Sequence, residues 1–175
     1  MRATDLAIDA FSRIEEDLTR IVAGLTVEQL RWQPRPDANP IGWLVWHLTR
    51  VQDAQISHLA GQEQAWIAEG WAERFGRPPA PRDLGFGDTP EQVAAFNPVD
   101  GDTLLAYYRA VWARTRAYLE SCTDEALDRV LNEPRWNPMP TVGVRIVSTI
   151  NDCTQHVGQA AYVRGLLEGR GWQRF

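Results

Sequence analysis

Ile150-Asn151-Asp152-Cys153-Thr154-Gln155-His156-Val157-Gly158-Gln159 sets an acid and a histidine four residues apart in a stretch that is otherwise helical in pattern. At about 100° per residue, Asp152 and His156 fall on one helical face, one turn apart. The stretch belongs to a longer periodic run. Ile146, Ile150, Cys153, Val157 and Ala160 make an apolar seam, and Arg145, Ser148, Asp152, His156 and Gln159 make a polar row beside it. Thr141 is the expected N-cap, and Gly169 and Gly171 are stop signals after about Glu168.

Three further stretches repeat this period. Ala7, Phe11, Ile14, Leu18, Ile21 and Leu25 predict a first core-facing helix, with Thr4 as its N-cap and Gly24 near its end. Ile41, Leu44, Leu48, Val51 and Gln55 predict a second, capped by Asn39, with Pro40 at its first position and Gly61 at its close. His47 lies on the side of Leu44 and Val51 and so borders the core. Leu104, Tyr108, Val111, Thr115 and Leu119 predict a third, starting after Asp100 or Asp102. Short turns of helix are expected from Thr26-Val27-Glu28-Gln29, which has the capping-box pattern, and from Thr123 to Leu127. Another short helix is expected over Glu63 to Phe75, carrying Trp66 and Trp71.

Residues 76 to 99 hold Gly76, Pro78, Pro79, Pro81, Gly85, Gly87, Pro90 and Pro98, which break any long element except for a turn at Glu91 to Phe96. A connection of this length in a compact domain is a functional loop or a crossover. Four long amphipathic helices without strand alternation predict an all-α four-helix bundle, with a long crossover between its second and third helices. Neither half of the chain can bury its apolar stripe alone, so residues 1–175 read as one domain.

Composition bounds the function. The chain has 175 residues, 44% of them hydrophobic, which suits a globular fold with a real core. A net charge of −5 argues against a nucleic-acid surface. No apolar run reaches the length of a membrane span, and Met1-Arg2-Ala3-Thr4-Asp5 opens no signal-peptide pattern, so a cytoplasmic location is expected. Cys122 and Cys153 form no disulfide framework. The eight tryptophans serve packing or line a cleft.

The interior of a bundle is where metal sites are built, from side chains on facing helices. Asp152 and His156 offer two donors on one turn, and His47 would add a third from another helix, leaving open positions for water or substrate. Neutral imidazoles and a carboxylate suit Zn, Ni, Fe or Mn. The plainer readings are a hydrogen-bonded core histidine at 47 and a simple ion pair between Asp152 and His156. His58, about 16 Å along the helix from His47, belongs to the surface. Cys153 reads as a small core thiol, although a Cys153–His156 nucleophilic pair is a formal alternative. Arg145 and Arg164 flank the group along the last helix and are candidates to hold an anionic substrate, or are ordinary solvated charges.

Asn39-Pro40-Ile41-Gly42-Trp43-Leu44-Val45-Trp46-His47-Leu48, followed over a hundred residues later by His156-Val157-Gly158-Gln159, resembles the DinB-like superfamily. That group includes the metal-binding domain of mycothiol-dependent maleylpyruvate isomerase. The resemblance spans nearly the whole chain. It implies a four-helix bundle of crossover topology, often a homodimer, with a divalent metal held by three histidines. His47 and His156 match ligand positions, while Asp152 stands where the family has histidine. An aspartate there makes a two-histidine, one-carboxylate site with lower Lewis acidity.

With the resemblance included, the metal reading of His47, Asp152 and His156 is preferred to the plainer ones. The activity it implies is that of a transferase or isomerase using a low-molecular-weight thiol, mycothiol or bacillithiol, against an electrophilic substrate. The alternatives are a metal-dependent hydrolase and a non-catalytic bundle that binds a small molecule or a partner.

Overall fold

The computed structural model describes residues 1–169, 171 and 172. Four long helices dominate it: α1 (Ala3–Val22), α3 (Ile41–Ala60), α7 (Gly101–Ser121) and α9 (Val142–Glu168). Between them lie short helices: α2 (Val27–Arg31), α4 (Ala65–Ala68), α5 (Trp71–Arg74), α6 (Pro90–Ala94) and α8 (Asp124–Asp128). Among the described residues the extended chain pairs at one isolated bridge, Val130 with Thr141. The fold is thus the all-α bundle that the periodicity predicts.

The helix ends follow from polar side chains placed to catch free backbone N–H groups. Thr26 accepts from Gln29 N, Asp100 from Thr103 N, Thr123 from Ala126 N and Thr141 from Val144 N. Thr4, the expected cap of α1, has no such role. It lies inside the first turn, buried, with its hydroxyl unpartnered, while the Asp5 carboxylate accepts from Arg2 N at 2.8 Å. The second long helix starts one residue later than expected, with Pro40 as N-cap. The expected helix over Glu63 to Phe75 is broken in two, because Gly70 turns into the left-handed region (φ +71°) and restarts the chain as α5.

Each long helix packs chiefly on two others: α1 on α7 and α9, and α3 on the same pair. α1 and α3 therefore stand diagonally across the bundle, as do α7 and α9. The long connection, residues 61–100, lies against α3. Pro98 closes on Gly42, Phe96 packs on Trp46 at 5.0 Å, and Trp66 packs on Trp46 at 6.2 Å. As a result every residue from Ile41 to Asp53 is buried, including Arg50, Gln52 and Asp53. Among the described residues no helix is long and apolar enough to cross a membrane.

Candidate metal centre

α3 and α9 make the most intimate pairing in the bundle, and two interactions fix their register. Cys153 is fully buried and points its thiol at Leu48 O (3.7 Å) and Gln52 Oε1 (3.8 Å). Gln52 in turn donates to Thr115 Oγ1 of α7 at 2.9 Å. This register sets His47 of α3 opposite Asp152 and His156, which sit one residue before and three after Cys153. One ligand atom from each of the three lies within 4.8 Å of the others. His47 is buried, and Asp152 and His156 are half-buried.

Each imidazole has one nitrogen engaged and one left over. His47 Nδ1 donates to the carbonyl of Leu84 in the long connection; a carbonyl only accepts, so the proton is on Nδ1 and the lone pair is on Nε2. His156 Nδ1 donates to Gln159 Oε1 at 2.8 Å, and its Nε2 faces Asp152 Oδ1 at 3.8 Å. Asp152 Oδ2 is shut off from solvent and has no hydrogen-bond partner. A buried carboxylate oxygen without a donor is unfavourable unless something else meets it. Two imidazoles and a carboxylate brought together from two helices, with one ligand atom of each within 4.8 Å of the others, form a donor set that fits one divalent cation.

Burial lowers the basicity of His47, and the neighbouring His156 adds to this; the hydrogen bond to Leu84 and the carboxylates of Asp152 and Asp88 act the other way. Burial dominates, which keeps the ring neutral and its Nε2 available as a ligand near neutral pH. Aromatic rings enclose it. Trp43 stacks on it almost parallel, with centroids 4.7 Å apart and planes at 7°. Phe86 meets it edge-on at 4.9 Å and His156 at 4.7 Å. Trp43 is itself held by its indole N–H, which donates to Asp88 at 3.1 Å.

The structure brings His47, Asp152 and His156 together but engages both arginines elsewhere. Arg145, about two turns along α9 from Asp152, pairs with Glu133 and donates to Gln55 Oε1 at 3.3 Å. Arg164, more than two turns beyond His156, donates to Arg20 O (2.6 Å) and Ile21 O (2.7 Å) at the end of α1. It also pairs with Glu168 and lies over the ring of Trp172. His58 is exposed, as read from the sequence. Complete burial pushes the Cys153 thiol well above its ordinary range, which removes it as a nucleophile partner for His156.

The residues that sequence reading passed over come from the loop: Leu84, Gly85, Phe86 and Asp88. Their signal was present as an aromatic flanked by glycines in a long irregular connection. Gly85 is the pivot, with φ +85°. A Cβ there would stand 2.8 Å from Trp43 Cζ2, 3.0 Å from Trp46 Cζ3 and 3.1 Å from His47 Nδ1. Gly85→Ala is expected to displace the loop and deprive His47 of its carbonyl partner. Metal affinity should fall about 10- to 100-fold, as for other losses of a group that orients a ligand. Titration of the purified variant with zinc checks this; unchanged affinity would show that the loop does not orient His47.

The fold and donor set define a helical-bundle protein with a three-residue candidate metal group between two of its helices. The chain belongs to the DinB superfamily, whose family model matches residues 10–160. A solved structure, that of a conserved protein from Enterococcus faecalis, is similar at 33% identity and a TM-score of 0.89, covering 97% of this chain and 99% of that one. No curated protein matches the chain.

Proposed function

We propose that this protein binds one divalent metal ion through His47 Nε2, Asp152 and His156 Nε2, and that it acts on a low-molecular-weight thiol, mycothiol or bacillithiol, in a transferase or isomerase reaction. The observation that carries the metal reading is the convergence of one ligand atom from each of the three residues within 4.8 Å, at an aspartate that keeps one buried oxygen without a hydrogen-bond partner. The thiol reading rests on the superfamily, in which this bundle serves mycothiol-dependent isomerisation, and on a site that offers only three protein donors and so leaves positions open. A divalent ion held there supplies Lewis acidity, lowering the pKa of a thiol that ligates it.

The protein's own contribution is positional. Leu84 and Gln159 hold the two imidazoles in the tautomers that present Nε2. Trp43 packs one face of His47, limiting water around the donors. The aspartate at the position where the resemblance places histidine adds a negative charge, which favours hard and borderline metals such as Mn, Fe, Ni or Zn over softer ones.

Elemental analysis of untagged protein, before and after loading with zinc, nickel or manganese, tests the reading. About one equivalent of metal is expected, together with a metal-dependent thermal shift on addition of mycothiol or bacillithiol that glutathione and coenzyme A do not give. Absence of stoichiometric metal after loading would overturn the site. Metal without any thiol preference would overturn the thiol assignment and leave hydrolysis or simple binding.

A further inference from the structure

The loop from Asp83 to Thr89 is anchored at both ends and bare in the middle. At its start the Asp83 carbonyl accepts from the buried Arg50 at 3.0 Å, and its carboxylate is held by two hydrogen bonds from Arg77 at 2.9 and 3.0 Å. At its end the Asp88 carboxylate accepts from Trp43, Asp88 N donates to Gly85 O at 3.2 Å, and Thr89 caps α6. Between these anchors stands Phe86, flanked by Gly85 and Gly87, both at positive φ. Phe86 is 67% exposed, yet its ring centroid lies 4.9 Å from that of His47, the two planes nearly perpendicular. A fixed backbone that leaves an aromatic face in water beside three convergent donors loses little conformational freedom when a ligand covers that face.

We infer that Phe86 is a specificity-determining residue: it receives a flat apolar group carried next to the atom that approaches His47, Asp152 and His156. The inference rests on the metal reading of those three residues and names the substrate class for that site. Phe86 acts by contact with the substrate body and takes no part in holding the metal.

The test uses cobalt(II)-loaded full-length protein, with its visible absorption as the readout, and two probes: imidazole and phenylimidazole. Wild type is expected to bind phenylimidazole about tenfold more tightly than imidazole, the gain from covering one aromatic face. Phe86→Ala should bring phenylimidazole down to the level of imidazole, Phe86→Tyr should restore the preference, and imidazole itself should bind all three proteins alike. A Phe86→Ala protein that keeps the preference, or a wild type that has none, overturns the inference while leaving the metal site intact. A chain that takes up no cobalt overturns the metal reading and this inference with it.

Discussion

Asp53→Ala is expected to lower stability by roughly 4 kcal/mol, the cost of leaving a buried charge and its donors without their partner. Asp53 is 2% exposed and its carboxylate gathers five donors. Ala65 N and Trp66 N donate at 2.9 and 2.8 Å, Tyr107 Oη at 2.8 Å, Ser57 Oγ at 3.2 Å and Arg50 Nη1 at 3.4 Å. The two backbone donors belong to the first turn of α4, so this carboxylate also neutralises a helix start. Its removal leaves Arg50, wholly buried, with the Gln64 amide, the Tyr107 hydroxyl and loop carbonyls as its remaining partners. For a chain of this size the midpoint of thermal unfolding should drop by about 8–16 °C. Tyr107→Phe, which deletes one donor among five, should cost only about 1 kcal/mol. Circular dichroism melts of the two variants decide the matter: similar small shifts in both would mean that Asp53 does not organise the network.

That network also explains where sequence reading stopped. The four long helices were legible because their apolar seams are regular and, for α7 and α9, because Asp100 and Thr141 announce the start with side chains that bond locally; Thr26 and Thr123 do the same for the short α2 and α8. The burial of α3 on every side was not legible. Arg50, Gln52 and Asp53 look like the solvated face of an amphipathic helix, and only the connection folded over them turns that face into an interior. Three of the five donors to Asp53 lie 12, 13 and 54 positions away along the chain, beyond any local pattern.

The candidate site divides in the same way. Asp152 and His156 are read from a four-residue spacing, and His47 from its place in a core-bordering helix. Leu84, Gly85 and Phe86 reach His47 from 37 to 39 positions further on, through backbone geometry that a glycine-rich string does not specify. Cys153 is the informative intermediate case. Its seam neighbours mark it as a core thiol, and the structure adds that this thiol helps set the register that brings the three donors together.

Asp152→Ala should separate stability from metal binding more sharply than any other change in the chain. Without metal, Asp152 contributes little to the fold. Its Oδ2 has no partner, and its Oδ1 stands 3.8 Å from His156 in a partly exposed pair of the kind worth about 0–1 kcal/mol. The metal-free variant should therefore melt within about 4 °C of wild type. With metal the two proteins should diverge. At an ion concentration 100 times its dissociation constant, wild type gains about 2.7 kcal/mol by mass action. Loss of the carboxylate should weaken binding by about 100-fold or more, as losing a directly bound donor outweighs losing a group that only orients one. At the same ion concentration the variant then gains about 0.4 kcal/mol or less. In melting temperature this is a rise of about 5–11 °C in wild type against about 1 °C in the variant. Scanning fluorimetry with and without zinc measures all four values. Should the metal-free variant melt far below wild type, Asp152 is a structural residue and its unpartnered oxygen needs another explanation. Should it melt like wild type and still gain the full metal shift, the ion sits elsewhere. Only a matched metal-free pair with a lost metal shift makes the aspartate a ligand that the fold does not otherwise need.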